Sequence, residues 1–235
     1  LSRCTNSYYS SSFGALLFVL NPFVFNRLSF LDHLAAYFFI PLLLVALEEF
    51  KEDNLRSVIL TSIPFIIMGN VGHPEMCFIA SLVSAIYYIV NSPSALKEKI
   101  IRLLRVGFIV IITLSIYIFP LLKEYFSGFS YKRAGISKYV FSKWQYLFTP
   151  TSDIFLMPIL IFFIVLSLNR LKDKKVLFFF SLMIISLLFL TGIISPKLTF
   201  IIIPPFYFKL LFWISVSFLA TYGFDKIINE KVKWH

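Results

Sequence analysis

Charge is scarce in this chain: Asp, Glu, Lys and Arg make up 14% of its 235 residues, whereas soluble domains carry about 25%. Hydrophobic residues reach 59% and the mean hydropathy is +0.85, more apolar surface than a soluble domain of this length could bury. An integral membrane protein is expected. Cysteine is scarcer still. Cys4 and Cys77 stand in unlike contexts, argue no disulfide framework and no redox compartment, and read as bystanders. Acids number only 12, which leaves a net charge of +10, yet 29 Phe and 12 Tyr fit lipid-facing helices with interfacial rings. Nucleic acid is therefore not an expected partner, and the basic excess reads as loop charge facing anionic lipid or lipid-linked substrate. Residues 1 to 12 are polar and lack the basic start of a signal peptide. Because the chain opens on Leu1 rather than Met, it reads as an incomplete polypeptide.

The apolar segments fall at roughly 13 to 25, 34 to 49, 55 to 70, 75 to 91, 100 to 122, 153 to 169, 176 to 194 and 206 to 224. The first is short and interrupted by Pro22, so a re-entrant or interfacial helix is an alternative there. Backbone groups cannot stay unpaired in lipid, and the alternating ten-residue segments of a barrel are missing. The expected fold class is an all-α polytopic transmembrane bundle of about 7 to 8 helices. No repeat, Gly/Ser linker or second domain interrupts 1–235, which reads as one domain.

Lys and Arg divide unequally between the two sides of such a bundle. Fourteen, among them Arg56, Lys97, Lys99, Arg102, Arg105, Arg170 and Lys226, sit in compact loops against helix ends. Eight others, Arg27, Lys123, Lys132, Arg133, Lys138, Lys143, Lys197 and Lys209, share the opposite side, most of them in one long loop. The positive-inside bias places the first set in the cytoplasm and the second outside the cell membrane. The outer loop 123–152 is longer than a helix connection requires and is rich in aromatic residues suited to the headgroup level.

No charge lies at the middle of a span, which disfavours a proton pump or ion-coupled transporter. The outer acids are Asp32, Glu75, Glu124 and Asp153. Asp32 adjoins His33, and Glu75 lies two residues after His73, so each outer histidine has a carboxylate close by. Such groups suit a general base acting on an acceptor hydroxyl, or ligands for a divalent cation. No cofactor is demanded and no metal ligand set is assigned, because two histidines on unlinked loops are a weak signal. Helix capping explains Asp32 equally well. Gly72, Pro74 and Glu75 suit a helix end followed by a helix start, an account that leaves His73 unexplained. Arg27, Lys132, Arg133, Lys197 and Lys209 could hold a phosphate near the headgroup plane, or be solvated loop charges.

Asn21-Pro22-Phe23-Val24-Phe25-Asn26-Arg27, then Gly72-His73-Pro74-Glu75, then Pro120-Leu121-Leu122-Lys123-Glu124-Tyr125 and Ser130-Tyr131-Lys132-Arg133, resemble the YfhO-like bacterial and archaeal membrane proteins. Ile203-Pro204-Pro205-Phe206-Tyr207-Phe208-Lys209 is similar to that family's closing segment, with Lys209 where the family has Arg and a further Arg replaced near Trp213. The resemblance implies a GT-C-type glycosyltransferase that takes a sugar from a polyprenyl-phosphate donor to an envelope glycan, lipid or protein acceptor at the extracytoplasmic face. It also implies inversion at the sugar, with an outer-loop acid as base. The family's main catalytic acid follows a first span that would precede Leu1, so Asp32 is not equated with it. In this reading Asp32 and Glu75 are the catalytic candidates. Asn26, Arg27, His33, His73, Glu124, Lys132, Arg133 and Lys209 are the substrate-binding ones. A non-enzymatic transporter or flippase, or a scaffold subunit for envelope polymers, is the competing expectation; a transporter would carry paired broken helices from an internal repeat.

Overall fold

The computed structural model describes residues 7–25, 31–50, 54–72, 74–126, 158–194 and 206–231. These form helices α1 (Tyr8–Val19), α2 (Pro22–Phe25), α3 (Leu31–Glu48), α4 (Leu55–Val71), α5 (Pro74–Asn91), α6 (Leu96–Phe126), α7 (Pro158–Ser167), α8 (Lys174–Leu190) and α9 (Phe206–Lys231), with a 3-10 turn at Leu168–Arg170. Among the described residues there is no strand, so the all-α expectation is met. The chain divides into two compact units, one containing α3 to α6 and the other α1, α2 and α7 to α9.

The helices start and stop where local chemistry dictates. The Asn54 side chain accepts the Ser57 N–H at 2.8 Å to open α4, and Asp173 accepts the Lys175 N–H at 2.8 Å to open α8. Between α1 and α2 the chain breaks at buried Asn21. Its amide donates to the Phe18 carbonyl at 2.6 Å and accepts the Val24 N–H at 3.1 Å. Asn21 thus closes one helix and opens the next, and Pro22 begins α2 where a missing N–H costs nothing. Several bounds differ from the expected spans. The first helix begins at Tyr8, so the Ser10–Ser12 stretch read as polar lead is helical, its Ser7 cap and the Ser11 hydroxyl satisfied by local backbone. Helix α6 extends at both ends, and α9 runs past 224 because Asp225 finds a partner.

That partner is Arg170. Its guanidinium donates to Asp225 Oδ2 at 3.1 Å, and the Asn229 amide donates to the same oxygen at 3.0 Å, which ties the ends of α7 and α9 together. Helix α9 is the axis of its unit, buried on every side from 210 to 223. Phe179 stacks on Phe218 at 4.0 Å and Phe189 on Phe208 at 4.1 Å, which fixes α8 antiparallel to it. Phe13 of α1 stacks on Phe224 at 4.5 Å and meets Phe163 of α7 edge-on at 5.2 Å. A glycine permits the closest approach: a Cβ on Gly223 would lie 1.9 Å from the Phe163 carbonyl oxygen. Backbone-to-backbone contact at a small residue is how helices associate where apolar solvent supplies no hydrophobic drive.

In the other unit, one end is polar and inward-facing. The Tyr87 hydroxyl donates to Glu48, joining α5 to α3. Lys99, buried at the start of α6, donates to the Ile89 carbonyl at 2.7 Å and so caps α5, the charge falling where the helix dipole is negative. Arg102 lies 5.8 Å above the Phe50 ring and donates to Ser94 at 3.4 Å. Within each unit, the basic residues read as cytoplasmic gather at one end.

The interior is apolar, and apolar side chains also lie on the surface of the described helices. Phe78, Leu82, Ile86 and Val90 recur every fourth residue along α5, and Ile59, Ile63, Ile67 and Val71 along α4, each 41–49% exposed. Ser62, Ser186, Ser215, Ser217 and Thr221 are buried, each hydroxyl donating to a carbonyl one turn back at 2.6 to 2.8 Å. Two stretches, Tyr8–Phe25 and Phe208–Asn229, are long and apolar enough to cross a membrane; Leu34–Glu48, Leu55–Val71, Met76–Asn91 and Pro158–Arg170 are shorter apolar helices.

Replacing Gly223 by Ala is expected to destabilise the protein by at least about 1–3 kcal/mol, since neither backbone can yield. Gly107→Ala, whose added Cβ meets nothing within 4 Å, is expected to be near neutral. Thermal unfolding of the two variants in one detergent checks the contrast; equal midpoints would contradict the contact.

Candidate functional site

The turn between α4 and α5 is the part of the molecule where sequence-marked residues meet. Gly72 closes α4, its N–H donating to the Met68 carbonyl at 2.8 Å, and Pro74 opens α5. Both roles match the sequence expectation. The physical reason for glycine differs from the usual one at a helix end. Gly72 has φ −98° and ψ 158°, an extended conformation open to any residue. What it supplies is space: a Cβ there would lie 2.6 Å from Cys77 Sγ, 2.8 Å from the Met68 carbonyl oxygen and 3.1 Å from Ala36 Cβ.

Those three neighbours come from α5, α4 and α3, so the turn is the junction of three helices. Cys77 adds a link by donating its thiol to the same Met68 carbonyl at 3.2 Å. It is buried and free of any disulfide. The bystander reading of Cys77 is thereby corrected: it is the side chain on which the turn closes. No spacing rule in the sequence reveals this, since the contact depends on how α3, α4 and α5 pack.

Ala36 lies one helical turn after Asp32, so the junction carries the start of α3 to the Gly72 turn. Asp32 is exposed in the first turn of α3. It is inside the helix rather than at its cap, because α3 begins at Leu31. Capping in the strict sense is thus corrected, while the favourable interaction of a first-turn acid with the helix dipole remains. Glu75 is the second residue of α5 and so belongs to the same end.

The remaining candidates distribute as follows. Glu124 is on the last turns of α6; the Gly69 position lies against Leu114, so at 1.5 Å per residue α6 carries Glu124 about 10 Å beyond the end of α4. Lys209 is half-buried on the first turn of α9, in the other unit. Asn26, Arg27, His73, Lys132 and Arg133 lie outside the described residues, as do the side chains of His33, Glu75 and Glu124. The described part of the Asn21 run is a capped helix break, which gives that asparagine a structural role. Among the described residues, no three His, Cys, Asp or Glu side chains are grouped to hold a metal ion.

Beneath the junction, between α4, α5 and α6, lies an open cavity of about 430 Å³. Met68, Gly69 and Cys77 line it at the junction end, and Ser81, Gly107 and Leu103 farther along. All its lining side chains are uncharged. Gly107 has nothing within 4 Å of an added Cβ, whereas Gly69 admits the Leu114 side chain, whose Cδ1 would lie 2.5 Å from a Cβ there. The apolar groove thus ends at the helix junction, one turn of α3 from Asp32.

Gly72→Ala is expected to lower stability by about 1–3 kcal/mol, and adding Cys77→Ala to recover only part of that, because the Met68 carbonyl still blocks the new methyl. Unfolding of the single and double variants in detergent measures it; a stable Gly72→Ala protein would contradict the three-helix junction. Comparison with protein-family models, with curated proteins and with solved structures finds no match to this chain.

Proposed function

We propose that the protein is a multi-pass membrane glycosyltransferase, or part of one, that transfers a sugar from a polyprenyl-phosphate donor at the extracytoplasmic face. The observation that carries this reading is the junction of α3, α4 and α5, which gathers Asp32 and the Gly72-to-Glu75 turn at one end of an apolar groove.

A lipid-embedded chain accounts for the half-exposed aliphatic stripes on α4 and α5, which water would disfavour. The shorter helices then cross with their polar ends or with local thinning of the bilayer. The up-and-down order within each unit places the basic helix ends together, as a positive-inside arrangement requires. Asp32 falls at the opposite end of its unit from Lys99 and Arg102, and so at the outer face.

The chemistry is a single displacement. An acceptor hydroxyl oxygen attacks the anomeric carbon, the bond from that carbon to the donor phosphate oxygen breaks, and the lipid phosphate leaves with the electron pair. Asp32, with Glu75 as the second carboxylate of the same end, takes the hydroxyl proton. Lys132 and Arg133, basic residues of the long outer segment, are the groups suited to the leaving phosphate. The resemblance to YfhO-like proteins supports the same donor class.

Membranes containing the protein are expected to transfer labelled sugar from a polyprenyl-phosphate sugar, and Asp32→Asn to slow that transfer by about 100-fold or more, the usual worth of a general base. Glu75→Gln, measured beside it, identifies which carboxylate takes the proton. Full transfer by both variants would remove this end of the unit as the catalytic one.

A further inference from the structure

We infer that the inward face of α5 binds a row of ordered water molecules between Ser84 and Asn91, entered from the end of the unit that carries Lys99. The inference needs no part of the transferase reading.

Helix α5 has two unlike faces. Phe78, Leu82, Ile86 and Val90 form its exposed stripe, whereas Cys77, Ser81, Ser84, Tyr88 and Asn91 recur at alternating steps of four and three residues, the spacing of one helix face. Cys77, Ser84 and Tyr88 are buried, and Ser81 and Asn91 half-buried. A seam of hydrogen-bonding side chains thus runs along the side of α5 turned into its unit. Groups of this kind are costly inside a bundle unless each finds a partner.

At one end of the seam Cys77 meets that demand by donating to the Met68 carbonyl at 3.2 Å. At the other end three atoms have no protein partner: the hydroxyls of Ser84 and Tyr88 and the Oδ1 of Asn91, all buried. Ser84 is fully buried and Tyr88 is 4% exposed. The buried serines Ser62, Ser167, Ser186, Ser215 and Ser217 each donate to a carbonyl of their own helix, and Ser84 does not. A hydroxyl that forgoes this bond is satisfied by another acceptor.

The chemistry of the three atoms selects water. Two hydroxyls that donate and accept, beside an amide oxygen that accepts, call for a ligand able to do both. None of the three side chains is charged, so no ion is called for, and their closure from the surface admits only a small molecule. Ser84 and Asn91 lie about 10 Å apart along the helix axis with Tyr88 between them, a length that about three hydrogen-bonded waters bridge. Asn91 is the last residue of α5. Beside it Lys99 bonds the Ile89 carbonyl, and Tyr88 packs on Phe50 beneath the Arg102 guanidinium, so the seam opens among charged, hydrated groups.

Two substitutions separate a wet seam from a dry one by their sign. With water bound, Ser84→Ala and Tyr88→Phe each remove a hydrogen bond and are expected to lower the folded-to-unfolded ratio by about fivefold, read from unfolding of the full chain in one detergent. In a dry seam each removes an unsatisfied buried hydroxyl, and the ratio holds or rises. X-ray radiolysis, which turns bound water into hydroxyl radicals where it sits, is the second measurement. Tyr88 is expected to be oxidised while Tyr37, fully buried in the same unit, is not. A radical scavenger in the bulk is expected to protect exposed Tyr9 and to leave oxidation of Tyr88 unchanged. Ser84→Ala combined with Asn91→Leu is expected to abolish oxidation of Tyr88 with helicity unchanged, and Ser84→Thr, which keeps the hydroxyl, to retain it. An unoxidised Tyr88, oxidation that the scavenger suppresses, or no loss of stability in both Ser84→Ala and Tyr88→Phe would overturn the inference.

Discussion

The structure depends on close packing between helices whose outward faces are aliphatic. With Ile, Leu and Phe recurring every fourth residue on the outside of α4 and α5, apolar burial cannot by itself decide which faces meet. Contact has to come from shape and from polar groups closed within the bundle. Gly223 lets α9 touch the backbone of α7, Gly72 lets α3, α4 and α5 converge, and buried hydroxyls along α9 donate to carbonyls one turn back in the same helix. Where a charge is buried it is held: Asp225 by Arg170 and Asn229, Lys99 by the end of α5.

The same economy of space connects fold to proposed chemistry. A side chain at Gly72 would push Cys77 and Ala36 apart, and with them the first turn of α3 that carries Asp32. Bulk at Gly69 or Gly107 would fill the groove that ends at this junction. The position of the first turn of α3 and the open space at Gly107 thus both trace to glycines that matter for their volume. Neither uses the left-handed backbone that glycine alone adopts freely; among the described residues that conformation belongs to Gly192, at the end of α8.

Much of the helical plan was legible because hydrophobic runs and their punctuation are local signals. Gly72 at a helix end, Pro74 at a helix start and the break at Pro22 all act within a few residues, so each could be read from sequence. What could not be read depends on contacts between distant segments. Cys77 looked inert because its partners, Met68 and Gly72, matter only once α4 folds back on α5. Helix α9 continues beyond its apolar run because Arg170, 55 residues earlier in the chain, neutralises Asp225. Asp32 was weighed as a cap, and the helix begins one residue before it. Of the candidate site, the pairing of Asp32 with the Gly72 turn was visible only as a shared side; the groove, assembled from three helices, left no motif at all.

The central claim is that the Asp32 and Gly72 end of its unit faces the outside of a membrane while the Lys99 and Arg102 end faces the cytoplasm. Cysteine accessibility in intact cells measures this most directly, with single cysteines placed at Asp32 and at Lys97 in a protein whose Cys4 and Cys77 are Ser. A membrane-impermeant maleimide is predicted to label the Asp32→Cys protein in intact cells and the Lys97→Cys protein only after permeabilisation. The reverse pattern, or equal labelling of both positions before permeabilisation, would contradict the account.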